Sequence, residues 1–317
     1  MRNSAISRFI ITLLFIGFST FSTADEKYSK IYIFGDSLSD AGNFASLIGS
    51  FPPLYYNNRV SNGPLAIDVM AGKLGLSVNA SMHLLGLNQG NNYAVAGAKA
   101  SKNDPIDLNT QIVSFQANHG NIAPADALYV IFIGGNDIRS ALMLTSTENA
   151  KATINSAVSK IHDIISVLNQ IGARTFLIIN SLDVAQIPET RLIASATNNP
   201  DLIQQAHSLS SFYKKRLHKM IEKAEEEFDI NVTEFNLFKY FNKIIKKSEK
   251  FGFTNTTDAC FSSVTFTFHP DCNYGANFDK FFFFDEIHPS ARVHDILGKA
   301  FFDAINDDDE HELEDSD

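Results

Sequence analysis

The chain has 317 residues, 44% of them hydrophobic, enough for one large domain with a well-buried core. Its formal charge of −10 is concentrated at the C-terminus, where Asp307, Asp308, Asp309, Glu310, Glu312, Glu314, Asp315 and Asp317 stand without a single Lys or Arg, so the rest of the chain is close to neutral. That balance leaves no basic stripe to neutralise phosphates and excludes nucleic acid as a partner, while the acidic tail, 307–317, is expected to stay solvated and disordered.

In chain order, Arg2 and Arg8 come first, then an apolar stretch from Phe9 to Phe18, then Ser22-Thr23-Ala24, small residues at the positions before a cut. This is the layout of a secretory signal peptide spanning 1–24, and the run is too short for a comfortable membrane span. Cleavage after Ala24 would export the mature chain to the periplasm or the medium.

Beyond it, strand-length apolar runs alternate with segments of helical period. The runs are Ile31 to Phe34, Ala127 to Ile133, Thr175 to Ile179 and Ile230 to Phe235, with a weaker fifth near Ser77 to Asn79. Ala150, Ile154, Val158, Ile161, Ile165 and Leu168 recur at three- and four-residue steps, one apolar stripe on a long helix that Gly172 ends. Further helices are expected from about Pro200 to Phe228 and from about Pro289 to Ile305. The alternation predicts an α/β fold, a three-layer α/β/α sandwich around a parallel sheet, in one domain over 25–306.

Residues 250–284 fit neither period. They are rich in Phe and Thr and hold Cys260 and Cys272, an even count that implies a disulfide in an oxidising compartment. Zinc is disfavoured there, because His269 is the only other soft ligand close by and a structural site needs about four. The segment ends in Phe281-Phe282-Phe283-Phe284, which reads either as an apolar groove or lid or as a buried core strand.

Four short islands carry the chemistry. Gly35-Asp36-Ser37-Leu38-Ser39 follows the first apolar run; Gly90-Asn91-Asn92-Tyr93-Ala94, Gly134-Gly135-Asn136-Asp137 and Asp285-Glu286-Ile287-His288 follow in turn. A serine hydroxyl needs a neighbouring base to become a nucleophile, and an acid three residues before a histidine can orient the imidazole and stabilise its charged form. Ser37, His288 and Asp285 are the candidate nucleophile, base and orienting acid. Asp36 is expected to shape the turn, with Gly35 and Gly134 serving backbone geometry; His294 is the reserve base.

With all four islands in this order, the sequence resembles the GDSL family, also called SGNH hydrolases, from about Ile31 to the helix after His288. The resemblance implies an oxyanion hole built from the backbone amides of Ser37 and Gly90 and the side-chain amide of Asn136. No nucleotide loop or zinc pattern is present, and acyl transfer of this kind needs no metal or other cofactor.

The extended Gly-Asp-Ser-Leu-Ser-Asp-Ala-Gly-Asn and Asn-Tyr-Ala-Val-Ala-Gly-Ala stretches, with the late cysteine-bearing insertion, resemble the secreted bacterial lipolytic branch: phospholipases A, lysophospholipases and glycerophospholipid:cholesterol acyltransferases. That implies a lipid or lysophospholipid substrate, transient contact with a membrane surface, and an acyl-enzyme on Ser37 open to water or to an alcohol. A short-chain carbohydrate or aryl esterase is the alternative, and a non-catalytic lytic protein the alternative of another class.

Overall fold

The computed structural model describes residues 27–306; the expected leader and the acidic tail lie outside the described residues. In chain order the regular elements are β1 (Lys30–Gly35), α1 (Asn43–Ile48), α2 (Ala66–Lys73), α3 (Leu108–Asn118), β2 (Ala127–Phe132), α4 (Gly135–Leu142), α5 (Thr147–Gln170), β3 (Thr175–Ile179), α6 (Pro188–Ala196), α7 (Asp201–Glu227), β4 (Asn231–Phe235), α8 (Leu237–Lys246), β5 (Asn255–Ala259), β6 (Phe261–Ser262), β7 (Thr267–Phe268), β8 (Phe281–Phe283) and α9 (Ala291–Asn306). Short 3-10 turns join several of them.

The four predicted strands form one parallel sheet in the order β1-β2-β3-β4. Every residue of β2 is buried, as a strand covered on both faces requires. On one face Tyr32, Tyr129 and Phe176 lie in register across three strands, and Phe115 of α3 packs on Tyr32 and Phe34 with ring centroids 4.9 and 5.5 Å apart. Helices α5 and α7 extend this layer. On the other face Phe301 of α9 meets Phe132 and Phe235 at 6.1 and 4.7 Å, and α9 packs against α2.

The stripe predicted for α5 is buried, joined by Ala157 and Ile164. Gly172 follows at φ +123°, where a Cβ would stand 2.5 Å from the Ala123 carbonyl oxygen, so glycine is required both for the turn and for the close approach.

The expected fifth strand does not form. Ser77 to Asn79 makes no ladder of its own, and only an isolated bridge joins Ala80 to Asn92. The edge of β1 is covered instead by 91–95: the Ile33 N–H donates to the Asn91 carbonyl, the Tyr93 N–H to Ile33 and the Val95 N–H to Gly35. Those apolar residues are too few and too interrupted to read as a strand, yet they satisfy the sheet edge.

Residues 250–284 are ordered into two small sheets. Strand β5 pairs with β8, and β6 with β7 as a hairpin. The Cys260–Cys272 disulfide is present, with Cα atoms 5.4 Å apart. All four phenylalanines, Phe281 to Phe284, are buried, and Phe282 packs on Phe241 and Phe253 at 4.9 and 5.1 Å. Of the two readings of this run, the core strand is the one adopted. Within 250–284, the aromatic that lines the cavity over Ser37 is Phe266 of the hairpin.

Because the disulfide closes a short loop whose cysteines are buried beside Phe281, removing it as Cys260→Ser/Cys272→Ser is expected to lower unfolding free energy by about 3 kcal/mol. Urea unfolding monitored by circular dichroism measures this; an unchanged midpoint would contradict it.

Candidate active site

The nucleophile turn starts where β1 ends. Gly35 lies so close to β2 that a Cβ would be 2.2 Å from the Phe132 carbonyl oxygen, and its own N–H and C=O are both taken by the Gln111 side chain at 2.9 and 2.8 Å. The chain then folds sharply: the Ser39 and Asp40 N–H groups both donate to the Asp36 carbonyl, and Asp36 Oδ1 accepts from the Leu38 N–H at 3.1 Å. This turn presents Ser37 at the carboxyl edge of the sheet, where ligands bind in open α/β folds.

His288 and Asp285 arrive from the far end of the chain. After β8, the Phe284 N–H donates to the His288 carbonyl, closing a tight loop, and Asp285 Oδ1 accepts the backbone N–H groups of Ile287 and His288 at 2.8 and 2.7 Å. His288 Nδ1 lies 2.8 Å from both Asp285 oxygens, and Nε2 lies 2.9 Å from Ser37 Oγ. With Nδ1–H donating to the carboxylate, Nε2 is left as acceptor for the serine proton. Burial by itself raises the Asp285 pKa, but the His288 charge and hydrogen bond, with the two backbone donors, more than offset it and hold the carboxyl below its ordinary value.

Asn136 sits in the first turn of α4, directly beyond β2. Its Oδ1 accepts from Arg139 Nη1 at 2.8 Å, which orients the amide so that Nδ2 donates one hydrogen to the Ala98 carbonyl at 3.0 Å and keeps the other for the cavity it shares with Ser37. Arg139 is itself held by Glu189 through a bidentate pair at 2.7 and 2.6 Å.

Gly90 does not join them. Since 91–95 run parallel to β1 with Asn92 paired with Ile33, Gly90 is level with Ile31, four residues or about 13 Å before the strand ends at Gly35. It is a glycine for another reason: a Cβ there would stand 2.2 and 2.5 Å from the Asn79 and Ala80 carbonyl oxygens. The glycine that reaches the site is Gly97, at φ +87°, which lines the cavity with Ser37, Asn136 and His288. The preceding Ala96 N–H is tied to Asp40 Oδ2 at 2.8 Å, and Asp137 accepts the Ala100 and Ser101 N–H groups at 2.9 Å each, so the 96–101 loop is fixed from both sides. The signal was in the Asn-Tyr-Ala-Val-Ala-Gly-Ala stretch, but only its pairing with β1 reveals which glycine arrives beside the serine.

His294 is no reserve base: it is buried under α2, its Nδ1 accepting the Ala66 N–H at 3.2 Å, and burial lowers its pKa to about 3. Among the described residues no cluster of His, Cys, Asp or Glu is arranged to hold a metal ion.

The cavity over Ser37 has a volume of about 370 Å³, and Phe44, Phe51, Val60, Phe266 and Ile287 give it largely apolar walls. Tyr55 also lines it, its phenol pushed up to about 12 by burial and by the charges of Asp285 and Glu286, so it is neutral at physiological pH. On the other side of Asn136 and Gly97 a second cavity of about 350 Å³ is polar at one wall, where Lys99, Arg139 and Glu189 meet. A serine polarised by a buried imidazole–carboxylate pair, with amide donors alongside, can attack a carbonyl and stabilise the resulting oxyanion.

Residues 31–301 match the family of GDSL-like lipases and acylhydrolases. The chain is 26% identical over 303 residues to a GDSL esterase/lipase of Arabidopsis thaliana, covering 79% of this chain and 80% of that one. It is 25% identical over 285 residues to the phosphatidylcholine-sterol acyltransferase of Aeromonas hydrophila, covering 87% and 78%. Among solved structures, an acetylxylan esterase of Geobacillus stearothermophilus aligns with a TM-score of 0.47 at 14% identity, covering 87% of this chain and 94% of that one.

Two measurements follow from the geometry. Gly90→Ala is expected to lower the melting temperature while the folded fraction keeps its turnover; a loss of turnover at unchanged stability would restore Gly90 to the site. Asp36 is buried, and burial first, with the nearby Asp137 charge, raises its pKa from 3.8 to about 7 against the Leu38 N–H, His288 and Arg139. The folded protein therefore keeps a proton that the unfolded chain releases, and its stability falls as pH rises from 3.8 to about 7. Asp36→Asn should flatten that descent in melting temperature against pH, and an unaltered profile would refute it.

Proposed function

The chain belongs to the family of GDSL-like lipases and acylhydrolases, and from that premise we propose that it is an exported serine esterase cleaving acyl esters of lipids, of the phospholipase A or lysophospholipase type. The observation that carries this reading is the continuous relay from Asp285 through His288 to Ser37 Oγ, opening into a cavity with aromatic and aliphatic walls.

In this mechanism Ser37 Oγ attacks the ester carbonyl as His288 Nε2 takes its proton, and Asp285 stabilises the imidazolium that forms. The oxyanion is met by the Ser37 and Gly97 N–H groups and Asn136 Nδ2, each donor worth about 3 to 4 kcal/mol. His288 then returns the proton to the leaving alkoxide, and the acyl group remains on Ser37 until water or an alcohol removes it.

The apolar cavity suits the acyl chain, whose burial contributes about 0.8 kcal/mol per methylene. The neighbouring cavity, with Lys99, Arg139 and Glu189, suits the polar part of the same molecule. An amphiphile would lay its acyl chain against the apolar walls of the first cavity and its polar part in the second. The 25% identity to a phosphatidylcholine-sterol acyltransferase supports a lipid acyl donor and an alcohol as one acceptor.

Mass-spectrometric analysis of products from a mixed lipid extract, with and without cholesterol, tests the reading: free fatty acid and lysolipid or glycerophosphodiester are expected, and release of acetate in preference to palmitate would overturn the lipid assignment. Ser37→Ala is expected to abolish turnover and organophosphate labelling together, and Asn136→Ala to reduce kcat by about 100- to 1000-fold with little change in KM. Membrane lysis at full potency by Ser37→Ala would favour a non-enzymatic action.

A further inference from the structure

The mouth of the apolar cavity is bordered by two segments without a single Asp, Glu, Lys or Arg: residues 41–58, which include α1, and residues 259–270, which include the β6–β7 hairpin. Charged residues make up 20% of the chain, so the depletion is local. Each segment also exposes apolar side chains to solvent. Val264 and Phe266 at the hairpin tip are 79% and 69% exposed, and Leu47 and Ile48 at the end of α1 are 48% and 59% exposed.

The two segments pack against each other. Rings join them in sequence, Phe44 to Phe51 at 6.2 Å, Phe51 to Tyr55 at 5.2 Å, Tyr55 to Phe261 at 6.5 Å and Phe261 to Phe266 at 6.1 Å. Phe44, Phe51 and Phe266 also line the cavity over Ser37, so the patch is continuous with the path to the nucleophile. The hairpin is anchored from below by Glu286, whose Oε2 accepts the Ser263 N–H and hydroxyl at 3.0 and 2.6 Å, next to Asp285.

Resting on the lipid reading above, we propose that this rim docks on the surface of zwitterionic lipid, Val264 and Ile48 entering the interface so that an acyl chain passes from the lipid into the cavity without crossing water. The chemistry points to an uncharged lipid surface. Entering the interface with a charged side chain is costly, and the rim has none; attraction to anionic lipid needs basic residues, and the rim has none of those either. Binding through apolar area alone is insensitive to salt, because no counterions are released or screened.

The test uses the full-length protein, phosphatidylcholine vesicles with or without phosphatidylglycerol, and the variants Ile48→Asp, Val264→Asp and their double. Wild type is expected to co-sediment with phosphatidylcholine equally at low and high salt, with no gain from phosphatidylglycerol. The double variant should bind at least about tenfold more weakly and hydrolyse vesicle lipid correspondingly more slowly. Its rate on a water-soluble short-chain ester should match wild type, which also shows that it is folded. Vesicle binding unchanged in the double variant overturns the proposal. So does binding that requires phosphatidylglycerol and vanishes in salt, or a dimer in sedimentation velocity that the variants dissociate. Absence of soluble-ester hydrolysis in wild type would instead sink the esterase reading itself.

Discussion

Everything at the site depends on how closely β1 and β2 approach where both end. Gly35 is opposite Phe132 in a parallel register, and its missing side chain lets the strands meet at a point where any Cβ would collide with the Phe132 carbonyl. Parallel strands finish at the same edge, so two residues beyond Gly35 is Ser37, and four beyond Phe132 is Asn136. Ser37 and Asn136 are thus placed together by strand register and not by a contact between them.

The loop that carries Gly97 is held by two buried carboxyl groups. Asp40 collects the N–H groups of Gly42, Asn43, Phe44 and Ala96, while Asp137 collects those of Ala100 and Ser101. Burial raises the pKa of each carboxyl, and the backbone donors counter that shift. A carboxyl group buried in this way is tolerable only while those donors stay in place. The pull therefore runs both ways: the loop solvates the acids, and the acids keep Gly97 beside Ser37.

The C-terminal third closes the site and connects it to the outside. Buried phenylalanines of β8 seat the loop that bears Asp285 and His288, and Ser290 ties it back through the Phe281 and Phe282 carbonyls. Between the two catalytic candidates in that loop, Glu286 points the other way and holds the hairpin. Its carbonyl also accepts the Glu189 N–H, and Glu189 grips Arg139, which orients Asn136. The hairpin, the loop bearing His288, and Asn136 are consequently parts of one bonded unit.

Local pattern determined much of this protein by itself. Four strands, the long helices α5, α7 and α9 and the identity of Ser37, Asn136, Asp285 and His288 as residues of interest are legible because period, caps and short motifs are properties of neighbouring residues. The fifth strand and the choice of Gly90 failed for a shared reason: 77–95 owes its conformation to the edge of β1, and nothing within the segment announces which of its residues pairs there. Phe281 to Phe284 reads equally as lid or core, since four consecutive apolar residues carry no period; the partners Phe241 and Phe253 decide it. Only tertiary structure could bring Ser37 within 2.9 Å of His288 across 251 positions of chain, because that distance is set by sheet order and packing, long-range terms that no window of sequence contains.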